Sequence, residues 1–229
     1  WGAYSDKLGQ TVMYPDSGTT AIYLQNGTPV IATEIFIGPE PTYDANADLK
    51  YPFAGVSVSF DENQGYYNLS DLNTVRITYR SEGVMRFALL DSMTLADGNE
   101  GGEPGLYLPQ VAEFTTMDID ISDNGYDEFK ALSVPSWVSW PNNRSVVLSM
   151  VRGLKFDAKM AKAGYASFAL SEVSLLDASG NVISSLSGIN SIPETFKNKF
   201  NAYSLAQVGK QVVFNGFKND VRLQIYSMN

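Results

Sequence analysis

The chain of 229 residues contains no histidine and no cysteine. Without imidazole there can be no Ser-His-Asp triad, no histidine base and none of the usual histidine-containing zinc sites. Without thiols there is neither a disulfide nor a thiolate metal site, so cysteine usage says nothing about redox compartment. Charged residues are sparse at 18%. No apolar run approaches the roughly 20 residues that a membrane-spanning helix requires. No signal peptide is present, and because the chain opens at Trp1 without Met, we expect that a leader has been removed.

What remains is a strand-rich composition. Aromatics make up 12% of residues, and Gly and Ser are frequent between apolar runs. The length suits one large domain, or one domain with a small appendage. Residues 1–129 carry 20 acidic and 5 basic residues, whereas residues 130–229 carry 5 and 11, with the basic ones scattered singly. A net charge of −9 repels phosphate backbones, so nucleic acid is a poor partner and a neutral ligand fits better. The three N-x-S/T triplets at Asn26, Asn68 and Asn143 are no more than chance supplies.

The stretch Phe53–Asp91 organises the reading. Ala54, Val56, Val58 and Phe60 alternate with Gly and Ser; Val75, Ile77 and Tyr79 alternate with Arg76, Thr78 and Arg80; Met85, Phe87 and Leu89 alternate with Arg86 and Ala88. A period of two assigns each segment one core face and one wet face. The wet positions Ser57, Ser59, Arg76, Thr78, Arg80 and Arg86 are expected to form one carpet of hydroxyls and guanidinium groups, suited to an oxygen-rich ligand.

Further strands are predicted at Thr11–Tyr14, Thr20–Leu24, Val30–Ile37, Leu106–Pro109, Phe114–Ile121, Arg144–Val151 and Gly164–Leu176. A turn or two of helix is expected within Leu154–Ala163, from Phe156 and Met160. The loop Ser92–Pro104 is rich in Asp, Glu, Asn and Gly; it is open to a structural calcium or to simple solvation, and no other cofactor is expected. Between Asp123 and Asn143, Trp137 and Trp140 are flanked by Pro135 and Pro141, which argue for a stiff excursion. Each Trp either stacks on a sugar ring or plugs the end of the core. After Ser187 come three short strand signals. The reading is an all-β chain, an antiparallel β-sandwich of the jelly-roll type over 1–188, with a linker and small C-terminal β-unit over 189–229.

Three blocks resemble family 11 carbohydrate-binding modules, relatives of the family 30 and family 4 jelly rolls of bacterial cellulases and glucanases. They are Trp1-Gly2-Ala3-Tyr4-Ser5, the run from Phe53-Ala54-Gly55 through Leu69–Tyr79 to Met85-Arg86-Phe87, and the late strand Ala166–Leu176. The resemblance implies a concave face that takes one β-glucan chain through stacking tyrosines and polar contacts. By position, Tyr4 falls on a stacking tyrosine, Phe53 on another in altered form, and Ser59 on a hydroxyl contact. Tyr107 lies in the matching strand after the Gly-rich loop. Val151 and Arg152 stand where a later tyrosine is expected, and the Trp137/Trp140 loop where another resides. Leu205–Met228 resembles the start of a type IX-like C-terminal sorting domain, which implies a secreted or cell-surface protein of a Gram-negative bacterium.

The binding residues expected are therefore Tyr4, Phe53, Ser59, Arg86, Tyr107, Trp137, Trp140 and Arg152, acting without catalysis and targeting an attached or associated plant-cell-wall hydrolase. Two other classes stay open. One is a structural or adhesive sandwich that binds protein. The other is a glycoside hydrolase with paired carboxylates, although no Glu-x-Asp-x-x-Glu strand motif appears and Asp118 and Asp120 share a strand face without a Glu partner.

Overall fold

A computed structural model describes residues 1–6, 11–25, 28–38, 42–43, 49–60, 66–91, 102–122, 131–134, 144–159, 164–183, 204–208 and 211–215. The chain divides into two compact units, Trp1–Asn190 and Ser191–Asn229. In the first, the strands are β1 (Gly2–Ser5), β2 (Val12–Tyr14), β3 (Ile22–Gln25), β4 (Thr28–Ile37), β5 (Thr42–Tyr43), β6 (Leu49–Lys50), β7 (Phe53–Ser59), β8 (Thr74–Glu82), β9 (Arg86–Asp91), β10 (Gly105–Tyr107) and β11 (Val111–Asp120), followed by helix α1 (Arg144–Ser149), β12 (Val151–Lys159) and β13 (Gly164–Leu176). In the second unit, β14 (Ser204–Val208) and β15 (Gln211–Asn215) pair as an antiparallel hairpin. These are two of the three strand signals expected there; the third, Val221–Met228, lies outside the described residues.

Two antiparallel sheets make the sandwich. One has the order β1-β7-β12-β9-β10; the other has the order β11-β8-β13-β4-β2, with β3 also paired to β4. The chain crosses between sheets at each step of the alternating trio: β7 and β9 belong to the first sheet and β8 to the second. Each strand still buries one face, as its period of two requires. The inward positions Ala54, Val56 and Val58 of β7, Val75, Ile77 and Tyr79 of β8, and Phe87 and Leu89 of β9 are all buried.

Aromatic rings link the layers. Phe87 and Phe156 are neighbours across the first sheet, with ring centroids 5.4 Å apart. Phe156 stacks on Phe168 of the second sheet at 4.7 Å and 23°, and Phe168 stacks on Tyr79 at 6.2 Å. Such pairs add to the burial of the rings themselves. Trp1 closes this cluster with its ring 6.0 Å from Phe156, itself only 8% exposed.

Three expectations are corrected. Arg144–Val151 is not a strand: Arg144–Ser149 is helical, because Val147 and Leu148 plug the core while the Arg144 guanidinium donates to the carbonyls of Ile121 (2.7 Å) and Leu72 (2.6 Å). Of the helix expected within Leu154–Ala163, the part Leu154–Lys159 is instead strand, belonging to β12, the middle strand of its sheet, and residues 160–163 lie outside the described residues. Third, the polar carpet is divided. Arg76, Thr78 and Arg80 lie on β8 in the six-stranded sheet, where Arg76 pairs with Asp118 (2.7 Å), Thr78 with Thr116 (2.9 Å), and Arg80 sits 5.5 Å from the Phe114 ring. Ser57, Ser59 and Arg86 belong to the other sheet.

Because Phe156 joins both layers, Phe156→Ala is expected to lower unfolding free energy by about 3–5 kcal/mol in denaturant titration. A loss below about 1 kcal/mol would contradict this core assignment.

Candidate binding face

The outer face of the five-stranded sheet carries a row of residues set by strand register. Tyr4 lies opposite Gly55, Gly55 opposite Asp157, Asp157 opposite Arg86, and Arg86 opposite Tyr107. With strands about 4.8 Å apart, this row runs roughly 19 Å across the sheet. One residue pair further along the strands, Ser57 lies opposite Lys155 and Lys155 opposite Ala88. Sequence accounts for the placement of β12: Leu154, Phe156 and Ala158 alternate with Lys155, Asp157 and Lys159, so core and charge separate by face.

The centre of the face is an ionic cluster. Lys155 Nζ lies 2.7 Å from Glu103 Oε2 and 3.5 Å from Asp157 Oδ2. Tyr4 Oη donates to Asp157 Oδ2 at 3.3 Å. Arg86 Nη2 donates to the main-chain carbonyl of Glu103. Glu103 reaches this position because residues 102–105 run along β9, where the Leu89 N–H donates to the Pro104 carbonyl at 3.0 Å. Gly105 is needed there, since a Cβ would stand 2.9 Å from the Arg86 guanidinium carbon and would also meet the Phe87 carbonyl oxygen.

Burial sets the electrostatics. Arg86, Glu103, Lys155 and Asp157 are 5%, 2%, 6% and 1% exposed. Burial on its own pushes the Glu103 carboxyl up, but the charge and hydrogen bond of Lys155 outweigh it, and the group stays below its usual range. The Tyr4 phenol is pushed well up, first by burial and then by the carboxylates of Asp157 and Glu103. Burial is also the main reason that Lys159 titrates lower than usual. Arg86 Nη1 and Asp157 Oδ1 have no hydrogen-bond partner among the described residues.

Six of the eight residues expected to bind lie on this sheet: Tyr4 on β1, Phe53 and Ser59 on β7, Arg86 on β9, Tyr107 on β10 and Arg152 on β12. Tyr107 is exposed at one end of the row. At the other end the Tyr4 and Phe53 rings are 6.0 Å apart at 49°. Ser59 is exposed opposite Gly153, and Arg152 occupies the bulge between Val151 and Gly153. Arg86, expected to be open, is buried beside Glu103. Trp137 and Trp140 lie outside the described residues, as does most of the loop considered for calcium. Among the described residues no cluster of acidic side chains has the form of a metal site.

Sequence reasoning missed Glu103, Lys155 and Asp157. The alternation from Leu154 to Lys159 was a usable signal for the last two. Nothing local marks Glu103, whose partner lies 52 positions along the chain.

Chemically, Glu103 and Asp157 are two carboxylates held close by one ammonium. A glycosidase needs one carboxyl kept protonated near neutrality. Glu103 is shifted the other way, toward its charged form, so this carboxyl suits an ion bridge to Lys155 rather than the part of a general acid.

No protein-family model matches the chain, and no curated protein matches it. Solved structures do. A family 11 carbohydrate-binding module of a cellulosomal cellulase of Clostridium thermocellum is 13% identical, with 74% of this chain and 86% of that one covered and a TM-score of 0.44. A family 11 module from the same organism, in complex with a β-1,3-1,4-mixed-linked tetrasaccharide, is 14% identical over 74% and 95%, with a TM-score of 0.38. An exo-β-agarase is 10% identical over 74% of this chain and 22% of its own, with a TM-score of 0.39. The assignment of the sandwich rests on the strand pairing described above.

Removing the ammonium leaves two buried carboxylates uncompensated, so Lys155→Met should cost about 3–5 kcal/mol at neutral pH. The Glu103 carboxyl is depressed in the folded protein, so its contribution is present above its ordinary value of 4.5 and is lost as pH falls through the folded value. In Lys155→Met the two largest influences opposing burial are gone, leaving a main-chain hydrogen bond and Lys159, so the carboxyl titrates higher than in the wild type. The stability gap between wild type and variant, read by denaturation at neutral and acid pH, therefore narrows as pH drops below 4.5. A gap that is constant or widening would contradict the cluster.

Proposed function

We propose that the chain is a non-catalytic carbohydrate-binding module that takes a β-glucan chain across the outer face of the five-stranded sheet. The observation that carries this is the row from Tyr4 to Tyr107, with aromatic rings at both ends and a polar floor between them. Sugar rings present apolar C–H faces to aromatic side chains and hydroxyl edges to polar groups. Phe53, Tyr4 and Tyr107 supply the first chemistry, and Ser57, Ser59 and Arg152 the second.

The ionic cluster gives the floor rigidity. Its charges are spent on one another, so contact with a neutral sugar falls to the rings and hydroxyls around it. The resemblance of the opening and central blocks to family 11 modules narrows the ligand to a β-glucan: cellulose, mixed-linkage glucan or xyloglucan. Trp137 and Trp140 are assigned to the same task on sequence grounds alone. On this reading the module works outside the cell, secreted or on the surface of a Gram-negative bacterium, and targets an attached or associated plant-cell-wall hydrolase.

Affinity electrophoresis tests this with soluble barley β-glucan and xyloglucan in the gel. The wild type should be retarded with a Kd in the ~1 µM to 1 mM range. Tyr107→Ala should reduce retardation several-fold at unchanged thermal stability, because Tyr107 is 54% exposed and its loss leaves the core intact. Unaltered mobility on every glucan, or reducing sugar released by the purified protein, would overturn the reading.

A further inference from the structure

The six-stranded sheet has its own outer face, and the glycan reading makes no use of it. Of the eight large hydrophobic residues that are exposed among the described residues, four (Val12, Tyr14, Phe36 and Tyr165) gather here. Register sets them in two parallel rows. Val12 lies opposite Phe36 and Phe36 opposite Tyr165, on three adjacent strands, with exposures of 66%, 51% and 49%. Two residues along, Tyr14 lies opposite Glu34, Glu34 opposite Ser167, and Ser167 opposite Glu82. The Tyr23 ring, 6.0 Å from that of Tyr14, extends the aromatic surface.

Every charged residue in these two rows is acidic. Glu34 and Glu82 occupy the second row, and both are exposed. Among the described residues no Lys or Arg forms an ion pair with either. The field reaches the rings: the Tyr23 phenol is pushed well up, first by burial, then by Tyr14 and by the carboxylates of Glu34 and Asp16. Contiguous exposed apolar surface in a protein marks a docking site. Aromatic faces beside carboxylates attract cations twice over, through the ring quadrupole and through ion pairing. A neutral sugar gains nothing from the charge, and a phosphate backbone is repelled by it.

We propose that this aromatic and acidic face docks a protein partner that presents Arg or Lys side chains set among apolar groups. It lies on the opposite side of the sandwich from the glycan face and acts independently of it. Arg is the better fit, because its planar guanidinium stacks on a ring while its N–H fork engages a carboxylate.

The test uses the full chain and a dye-labelled peptide of alternating Arg and Leu, followed by fluorescence anisotropy at about 0.15 M salt, where the screening length is about 8 Å. Phe36→Ser/Tyr165→Ser and Glu34→Gln/Glu82→Gln should each weaken peptide binding by about tenfold or more, the aromatic and ionic contributions being separable. Asp118→Asn/Asp71→Asn removes the same charge elsewhere, Asp118 lying opposite Arg76 six residues along β8 from Glu82, and should leave binding within about twofold of wild type, as distant exposed charges are screened. All six positions are wholly or partly outside the core, so thermal melts should be alike. Equal weakening by the control pair, retention of affinity without the rings, or no binding of the peptide would each overturn the proposal. So would loss of glucan retardation in Phe36→Ser/Tyr165→Ser, which would make this a sugar surface. Failure of the glycan reading is seen separately, in the wild type and Tyr107→Ala on the glucan gel.

Discussion

A strand in the middle of a sandwich sheet normally buries one apolar face and leaves the other to water. β12 has to bury both, because residues 102–105 lie along the neighbouring β9 and Glu103 reaches over to Lys155. The outward side chains Lys155 and Asp157 are thereby taken out of water. An isolated charge in that position costs several kcal/mol, so each must find a partner. Glu103, Lys155, Asp157, Arg86 and Tyr4 meet this requirement together. That one constraint ties the edge strands β1 and β10 to the centre of the sheet and fixes the ends of the row at Tyr4 and Tyr107.

The two layers respond differently to charge. On the first sheet, charges are internalised and neutralised, and the groups left at the periphery are rings and hydroxyls. On the second, charges stay in water. Near β11 they pair across strands, as Arg76 does with Asp118. At the β2 and β4 end they are acidic and stand beside uncovered aromatic residues. The two layers thus differ in where their charges lie, buried and paired at the centre of the first and exposed to water on the second.

Much of the architecture was legible because period-two alternation is a direct record of sidedness. It placed Val56, Ile77 and Phe87 in the core and separated them from Ser57, Arg76 and Arg86. It did not say which sheet each strand joins, since consecutive strands that cross between layers show the same alternation as strands that pair. The expectation of one continuous polar face failed for that reason. The interval from Arg144 to Lys159 was misread because its apolar residues satisfy both periods over a few positions. Val147 and Leu148 are adjacent and suit a helix face, and Phe156 reads as helical only when Lys155 and Asp157 are taken for solvent-facing residues. Tyr4, Phe53, Ser59, Tyr107 and Arg152 lie on strands of one sheet. The link from Glu103 to Lys155 had no signature, because it depends on how residues 102–105 run beside β9.

The central claim is that the row crossing the five-stranded sheet is where a glucan chain lies. Titration of isotope-labelled protein with a mixed-linkage glucan tetrasaccharide, followed by NMR, tests it residue by residue. The account predicts saturable shifts confined to Phe53, Ser57, Ser59, Arg152, Tyr107 and their strand neighbours, with Phe36 and Tyr165 unmoved. Shifts centred on the opposite sheet, or none at saturating sugar, would contradict it.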